Sequence, residues 1–128
     1  MKTIITILFA KWVNKRNKKW ISNPIKWQTK TFKKIISKAS KTNFGKDHGF
    51  SEILSYGDFK KKVPIRDYEG LKPYVDKVVR GEKNILWPGQ PLYFAKTSGT
   101  TSGAKYIPIT RESIVTHVNS ARDALLNY

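Results

Sequence analysis

Ser98-Gly99-Thr100-Thr101-Ser102-Gly103-Ala104-Lys105 gathers hydroxyls, glycines and a lysine in one short run. Together these residue types suit a chain of phosphates, whose negative oxygens need donors at close range. Glycine lets backbone N–H groups approach with no Cβ in the way. Ser and Thr hydroxyls add donors that reorient, and lysine supplies charge. The run is not a Walker A loop, which places four residues between its glycines and Lys-Ser/Thr at the start of a helix. Here three residues separate Gly99 from Gly103, and Tyr106-Ile107-Pro108 follows the lysine as an extended stretch. The G-x-G-x-x-G of a dinucleotide fold is also missing, so capture of an anion at a helix N-terminus is not what this loop offers. The competing reading of the same composition is a Ser/Gly-rich surface hairpin with no ligand.

Few other residues compete for chemistry. The chain has no cysteine, hence no disulfide and no thiolate metal site, which fits a reducing compartment. His48 and His117 are its two histidines and stand far apart. Both read as surface or half-buried residues, and no metal site is expected. His48, between Asp47 and Gly49, reads as a turn residue rather than a general base. Asp67 reads as a helix cap, and Arg66 is expected to pair with Asp67 or Glu69. Lys60-Lys61-Lys62 reads as a solvated face.

The elements that must position the loop follow from periodicity and breakers. Residues 2–20 predict a helix with Ile5, Leu8, Phe9, Trp12 and Val13 on its apolar face. Asn23-Pro24 is a start signal for a second helix to about Lys41, with Phe32, Ile35, Ile36 and Ala39 on its stripe. Asn43-Phe44-Gly45 is expected to end that helix, with Gly45 left-handed. The stretch from Ser55 to Pro64 reads as one or two helical turns stopped by Pro64. A further helix places Leu71, Tyr74, Val75, Val78 and Val79 on one stripe and closes at Gly81, with Pro73 either in its first turn or at a kink. Leu92 to Ala95 and Tyr106 to Ile109 predict two short strands flanking the glycine loop, and Pro108 confines the second to a sheet edge or end. Thr110 then caps a last helix, Arg111 to about Asn127, expected to bury Ile114, Val118, Ala121 and Leu125. The expected class is therefore α/β. Residues 1–50 form a basic helical segment, 51–91 short helices and turns, and 92–128 a strand–phosphate loop–strand–helix unit.

The 128 residues suit one small domain, and the net charge of +16 is unevenly spread. The first fifty residues carry 13 Lys/Arg against one acid, Asp47. Trp12, Trp20, Trp27 and Phe32 interleave with those lysines, which would suit nucleic acid or an anionic surface. The aromatics fall mostly on or near the apolar stripes, however, so a nucleic-acid partner is not expected. The apolar start Ile4 to Ala10 is followed by basic residues instead of a small-residue cleavage site, and no stretch approaches a membrane span. A cytoplasmic location with no membrane partner is expected.

The stretch Thr97–Lys105 in its strand–loop–strand setting resembles the phosphate-binding signature of adenylate-forming enzymes. More narrowly it resembles the GH3 family of acyl acid–amido synthetases, as a bacterial-type member. Thr42-Asn43-Phe44-Gly45-Lys46-Asp47-His48-Gly49-Phe50, Val63-Pro64-Ile65-Arg66-Asp67-Tyr68-Glu69 and Trp87-Pro88-Gly89 look like that family's N-terminal landmarks, in its order. The resemblance implies an enzyme that activates a carboxylic acid with ATP and Mg²⁺ as acyl-adenylate and passes the acyl group to an amine, commonly that of an amino acid. It implies ATP-phosphate contacts from Thr97, Ser98, Gly99, Thr100, Thr101, Ser102, Gly103 and Lys105. Catalytic residues are not assigned. Plant members often carry one more residue before the lysine than Gly103-Ala104-Lys105 does. The family's chains are several-fold longer, so this chain is expected to be the N-terminal piece of such an enzyme, inactive by itself. Its remaining partner is then the rest of the same chain.

Overall fold

The structure, a computed structural model, describes residues 2–98 and 103–126. Its elements run α1 (Lys2–Ile21), α2 (Pro24–Ala39), α3 (Asn43–Asp47), a 3₁₀ turn (Phe50–Glu52), α4 (Tyr56–Lys62), α5 (Tyr68–Val79), β1 (Tyr93–Thr97), β2 (Lys105–Ile109) and α6 (Arg111–Leu126). The chain is mostly helical, with one small antiparallel sheet. Two compact units form, one from Met1–Thr31 with Glu112–Tyr128, the other from Phe32–Arg111.

In the second unit the core is Ile36, Ala39, Phe50 and Ile53, with Phe32, Phe44, Phe59, Val63 and Trp87 packed against it. Fully burying one such aliphatic or phenyl side chain is worth about 1.5–3 kcal/mol. Ile36 and Ala39 come from the predicted stripe of α2. Ile35, expected beside them, is 47% exposed, because the buried face turns toward Phe32 and Ile36 and leaves its neighbour outside.

The link after α2 differs from expectation. Gly45 does not end a helix; it lies inside α3, which Thr42 opens. The Thr42 hydroxyl accepts the Gly45 N–H at 3.0 Å and donates to the Ala39 carbonyl at 2.7 Å. The first N–H groups of α3 have no partner within the helix. Two of them bond outward, Asn43 to the Asn84 carbonyl at 2.8 Å and Phe44 to the Ile85 carbonyl at 3.0 Å. The Asn84–Gly89 turn that supplies those carbonyls is closed by bonds from the Asn84 N–H to the Gly89 carbonyl and from the Gly89 N–H to Asn84 Oδ1.

α4 begins with a reciprocal cap between Ser55 and Asp58. α5 begins at the Asp67 cap, as expected, where the carboxylate accepts the Gly70 N–H at 2.8 Å. It runs through Pro73, which lies inside the helix rather than in its first turn. Val75 and Val78 are buried, whereas Val79, expected on the same stripe, is 44% exposed. Bonds from the Gly81 N–H to the Val78 carbonyl and from the Glu82 N–H to the Lys77 carbonyl close the helix where the sequence places its end.

In the first unit, α1 forms over the predicted span but buries a different face. Val13 and Asn17, one turn apart, are buried, whereas Ile5, Leu8, Phe9 and Trp12 are exposed. Val13 stands at the edge of the expected stripe, and the buried side continues to a polar residue. α6 likewise leaves Val118 and Leu125 exposed, and none of its described residues is buried. Polar contact replaces the expected apolar face. Arg16 of α1 donates to both carboxylate oxygens of Asp123 at 3.0 and 3.2 Å, and Arg122 bonds the same carboxylate. These cations, Arg122 foremost, hold the Asp123 carboxyl below its usual value. Among the described residues no helix is long and apolar enough to cross a membrane.

Candidate functional site

β1 and β2 pair antiparallel, from Tyr93 with Ile109 to Thr97 with Lys105, and the Leu92 N–H adds a bond to the Ile109 carbonyl at 2.8 Å. Each predicted strand is present, and each reaches further toward the glycine loop than expected. The last rung, Thr97 opposite Lys105, closes the loop's mouth. Thr97 and Ser98 are exposed there. Gly99, Thr100, Thr101 and Ser102 lie outside the described residues. Gly103 has φ +79°, and nothing lies within 4 Å of where a Cβ would stand, so this position needs glycine for its backbone and opens onto free space.

Two lysines flank the mouth. Successive residues of a strand face opposite sides, so Thr97 and Lys105 share one face of the hairpin while Lys96 and Tyr106 share the other. Lys96 Nζ stands 5.9 Å from the Tyr106 ring, which also meets Phe94 edge-on. Lys105 Nζ stands 5.5 Å from the ring of Tyr68, the first residue of α5. The Tyr68 hydroxyl accepts the Tyr106 N–H at 2.9 Å. Among the described residues neither ammonium is paired with a carboxylate. Aromatic faces orient both cations without neutralising them.

Two of the stretches singled out in the sequence, Thr42–Phe50 and Val63–Glu69, meet at His48 and Arg66. His48 is buried, against expectation. Its ring stacks on Phe44 at 4.1 Å, Nδ1 bonds the Phe44 carbonyl at 2.8 Å, and Nε2 meets Arg66 at 3.3 Å. The carbonyl can only accept and the guanidinium can only donate, so Nδ1 carries the proton and Nε2 its lone pair. Both ring nitrogens are thus engaged within the fold. Arg66 does not pair with Asp67 or Glu69. It donates to His48 and to the Gly70 carbonyl, because the Asp67 carboxylate is turned inward to cap α5. Tyr74 donates to Asp47 at 2.8 Å, and burial first, then this bond, pushes its phenol above the usual value.

Tyr68 stands within the Val63–Glu69 landmark, but periodicity and motif reading give it no role at the loop. It adjoins the Asp67 cap, and no spacing rule connects it with Lys105, thirty-seven positions along the chain.

A family model described as the GH3 family N-terminal domain matches residues 14–127. The chain belongs to the GH3 family. Among relatives of this GH3 domain, indole-3-acetic acid-amido synthetase GH3.2 of Arabidopsis thaliana is 30% identical over 94 residues, which cover 72% of this chain and 17% of that protein. The 4-substituted benzoates-glutamate ligase GH3.12 of the same plant is 46% identical over 48 residues, 37% of this chain and 8% of that one. Jasmonoyl-L-amino acid synthetase JAR4 of Nicotiana attenuata is 28% identical over 89 residues, 68% and 15% respectively. The chain thus matches less than a fifth of the length of each of these relatives.

Proposed function

We propose that the hairpin is the ATP-phosphate clamp of an enzyme that joins a carboxylic acid to the amine of an amino acid. The carrying observation is Lys105, on the rung opposite Thr97 that closes the loop's mouth, with its ammonium 5.5 Å from the Tyr68 ring and paired with no carboxylate among the described residues. Three relatives point to the substrate classes, since each is named for an acid or an amino-acid conjugate: indole-3-acetic acid, benzoates with glutamate, and jasmonoyl-amino acid.

In such a reaction the acid's carboxylate attacks the α-phosphorus, pyrophosphate leaves, and the amine then displaces AMP from the acyl carbon. This chain's part is electrostatic. Thr97, Ser98, Gly99, Thr100, Thr101, Ser102 and Gly103 offer donors to the β- and γ-phosphates, and Lys105 supplies a positive charge where negative charge develops on the leaving group. Mg²⁺, when bound with the nucleotide, would supply positive charge that offsets the charge developing on the phosphates. Among the described residues no three carboxylate or imidazole groups gather to bind it, and a nucleotide-bound Mg²⁺ commonly keeps water and phosphate oxygens as most of its ligands.

Removing one charged donor costs about 2 kcal/mol, or roughly 30-fold. Lys105→Ala in the whole protein is therefore expected to raise the KM for ATP by about that factor, with Lys33→Ala, on α2, leaving it unchanged. Equal effects from the two variants would remove Lys105 from the nucleotide site.

One observation favours a second reading, a polyanion-binding face. Trp12, Trp20 and Trp27 are 40–56% exposed on the basic α1 and α2, against the expectation that they lie on covered stripes. Tryptophan fluorescence titrated with single-stranded DNA tests it. A steep loss of affinity between about 50 and 200 mM salt supports that face, and a flat response removes it.

A further inference from the structure

We infer that Tyr68 is a positioning residue for Lys105, holding the lysine that closes the loop's mouth from the free edge of β2. This rests on the phosphate-clamp reading of the loop. Tyr68 is anchored first: the Asp67 cap fixes the start of α5, and α5 packs against β2. From there one side chain makes two contacts with adjacent residues of β2. Its hydroxyl takes the Tyr106 N–H at 2.9 Å, which pins the β2 backbone next to Lys105. Its ring face lies 5.5 Å from Lys105 Nζ.

The choice of an aromatic partner has a physical consequence. Lysine is among the side chains with most rotamer freedom to lose, so an unsupported ammonium at a loop's mouth spends much of its time elsewhere. A carboxylate would hold it in place but would cancel the charge a phosphate needs. A ring face attracts the cation through its quadrupole and leaves the three N–H donors available. The hydroxyl and ring contributions are separable by mutation. Tyr68→Phe removes the backbone anchor and keeps the ring face, whereas Tyr68→Leu removes both and keeps bulk.

The test is a double-mutant cycle in the whole protein, read as KM and kcat for ATP in acid-dependent pyrophosphate exchange. Tyr68→Leu is expected to raise the KM for ATP about five-fold, the scale of a cation–π contact, and Tyr68→Phe less. With Lys105→Ala already present, Tyr68→Leu is expected to add nothing, because its effect passes through the lysine. If Tyr68→Leu lowers activity by the same factor with and without Lys105, the residue acts by general support of the fold and the inference is overturned. Should Tyr68→Leu fail to fold, Tyr68→Phe combined with Lys105→Ala runs the cycle for the hydroxyl anchor, and an equal effect of Tyr68→Phe with and without Lys105 overturns the inference. If Lys105→Ala itself leaves the KM for ATP unchanged, the clamp reading fails instead, so the two failures are distinguishable.

Discussion

Gly45 shows how one hydrogen in place of a methyl group can set a fold. An ideal Cβ there would stand 2.0 Å from the Ala39 carbonyl oxygen and 2.8 Å from its carbon. That oxygen already accepts both the N–H and the hydroxyl of Thr42, so it cannot retreat without losing them. The glycine is needed for close approach, not for a left-handed turn. Gly45→Ala is expected to destabilise the chain by about 3 kcal/mol, measured by urea unfolding. An unchanged midpoint would mean that α2 and α3 separate easily. The sequence marks a special residue at this position but not the reason, because the opposing carbonyl belongs to a helix end that periodicity places two residues too far along. His48 and Arg66 were misjudged for a similar cause. The contact they make with each other joins two separate stretches, and local spacing carries no trace of it.

At the scale of elements, the Asp67 cap and parts of the α2 and α5 stripes were readable, and the faces of α1 and α6 were not. Asp67 and Ser55 start helices because short polar side chains meet orphan N–H groups, a purely local rule. The Asp58 carboxylate of the α4 cap accepts from the Ser55 hydroxyl at 2.8 Å, the Ser55 N–H at 2.9 Å and the Leu54 N–H at 3.2 Å. These bonds, the Ser55 hydroxyl first, hold its pKa below the ordinary 3.8. The folded value thus lies below the unfolded one. The cap's contribution is present above the unfolded value and is lost as pH falls through the folded value. Asp58→Asn is expected to be less stable than the parent near pH 7, with the difference shrinking as the solution is taken to strongly acid pH, in paired urea titrations. A gap constant across that range would contradict the assignment. The buried face of α1 and the exposure of α6 escaped prediction because a stripe rule assumes that the most apolar side turns inward. In the first unit Asn17 is buried and Arg16 reaches Asp123, while Ile4, Leu8 and Trp12, spaced one turn apart, share an exposed stripe.

For the whole molecule, membership of the GH3 family rests on the family-model match over residues 14–127, and within that span the fold joins stretches far apart in sequence. The α3 start docks on the Asn84–Gly89 turn, Arg66 joins His48, and Tyr68 joins the hairpin. The glycine loop and its flanking strands were legible because residue types, turn chemistry and alternation agree there. Tyr68 was not legible, since its relation to Lys105 exists only after folding. Acid-dependent exchange of pyrophosphate into ATP by the whole protein, with a panel of aromatic and aliphatic carboxylic acids, tests the central claim most directly. Exchange that requires an acid and falls by ten-fold or more in both Gly99→Ala and Lys105→Ala is the expected result. Exchange that proceeds unaltered in both variants, or that no acid supports, would contradict the hairpin's assignment as the phosphate clamp.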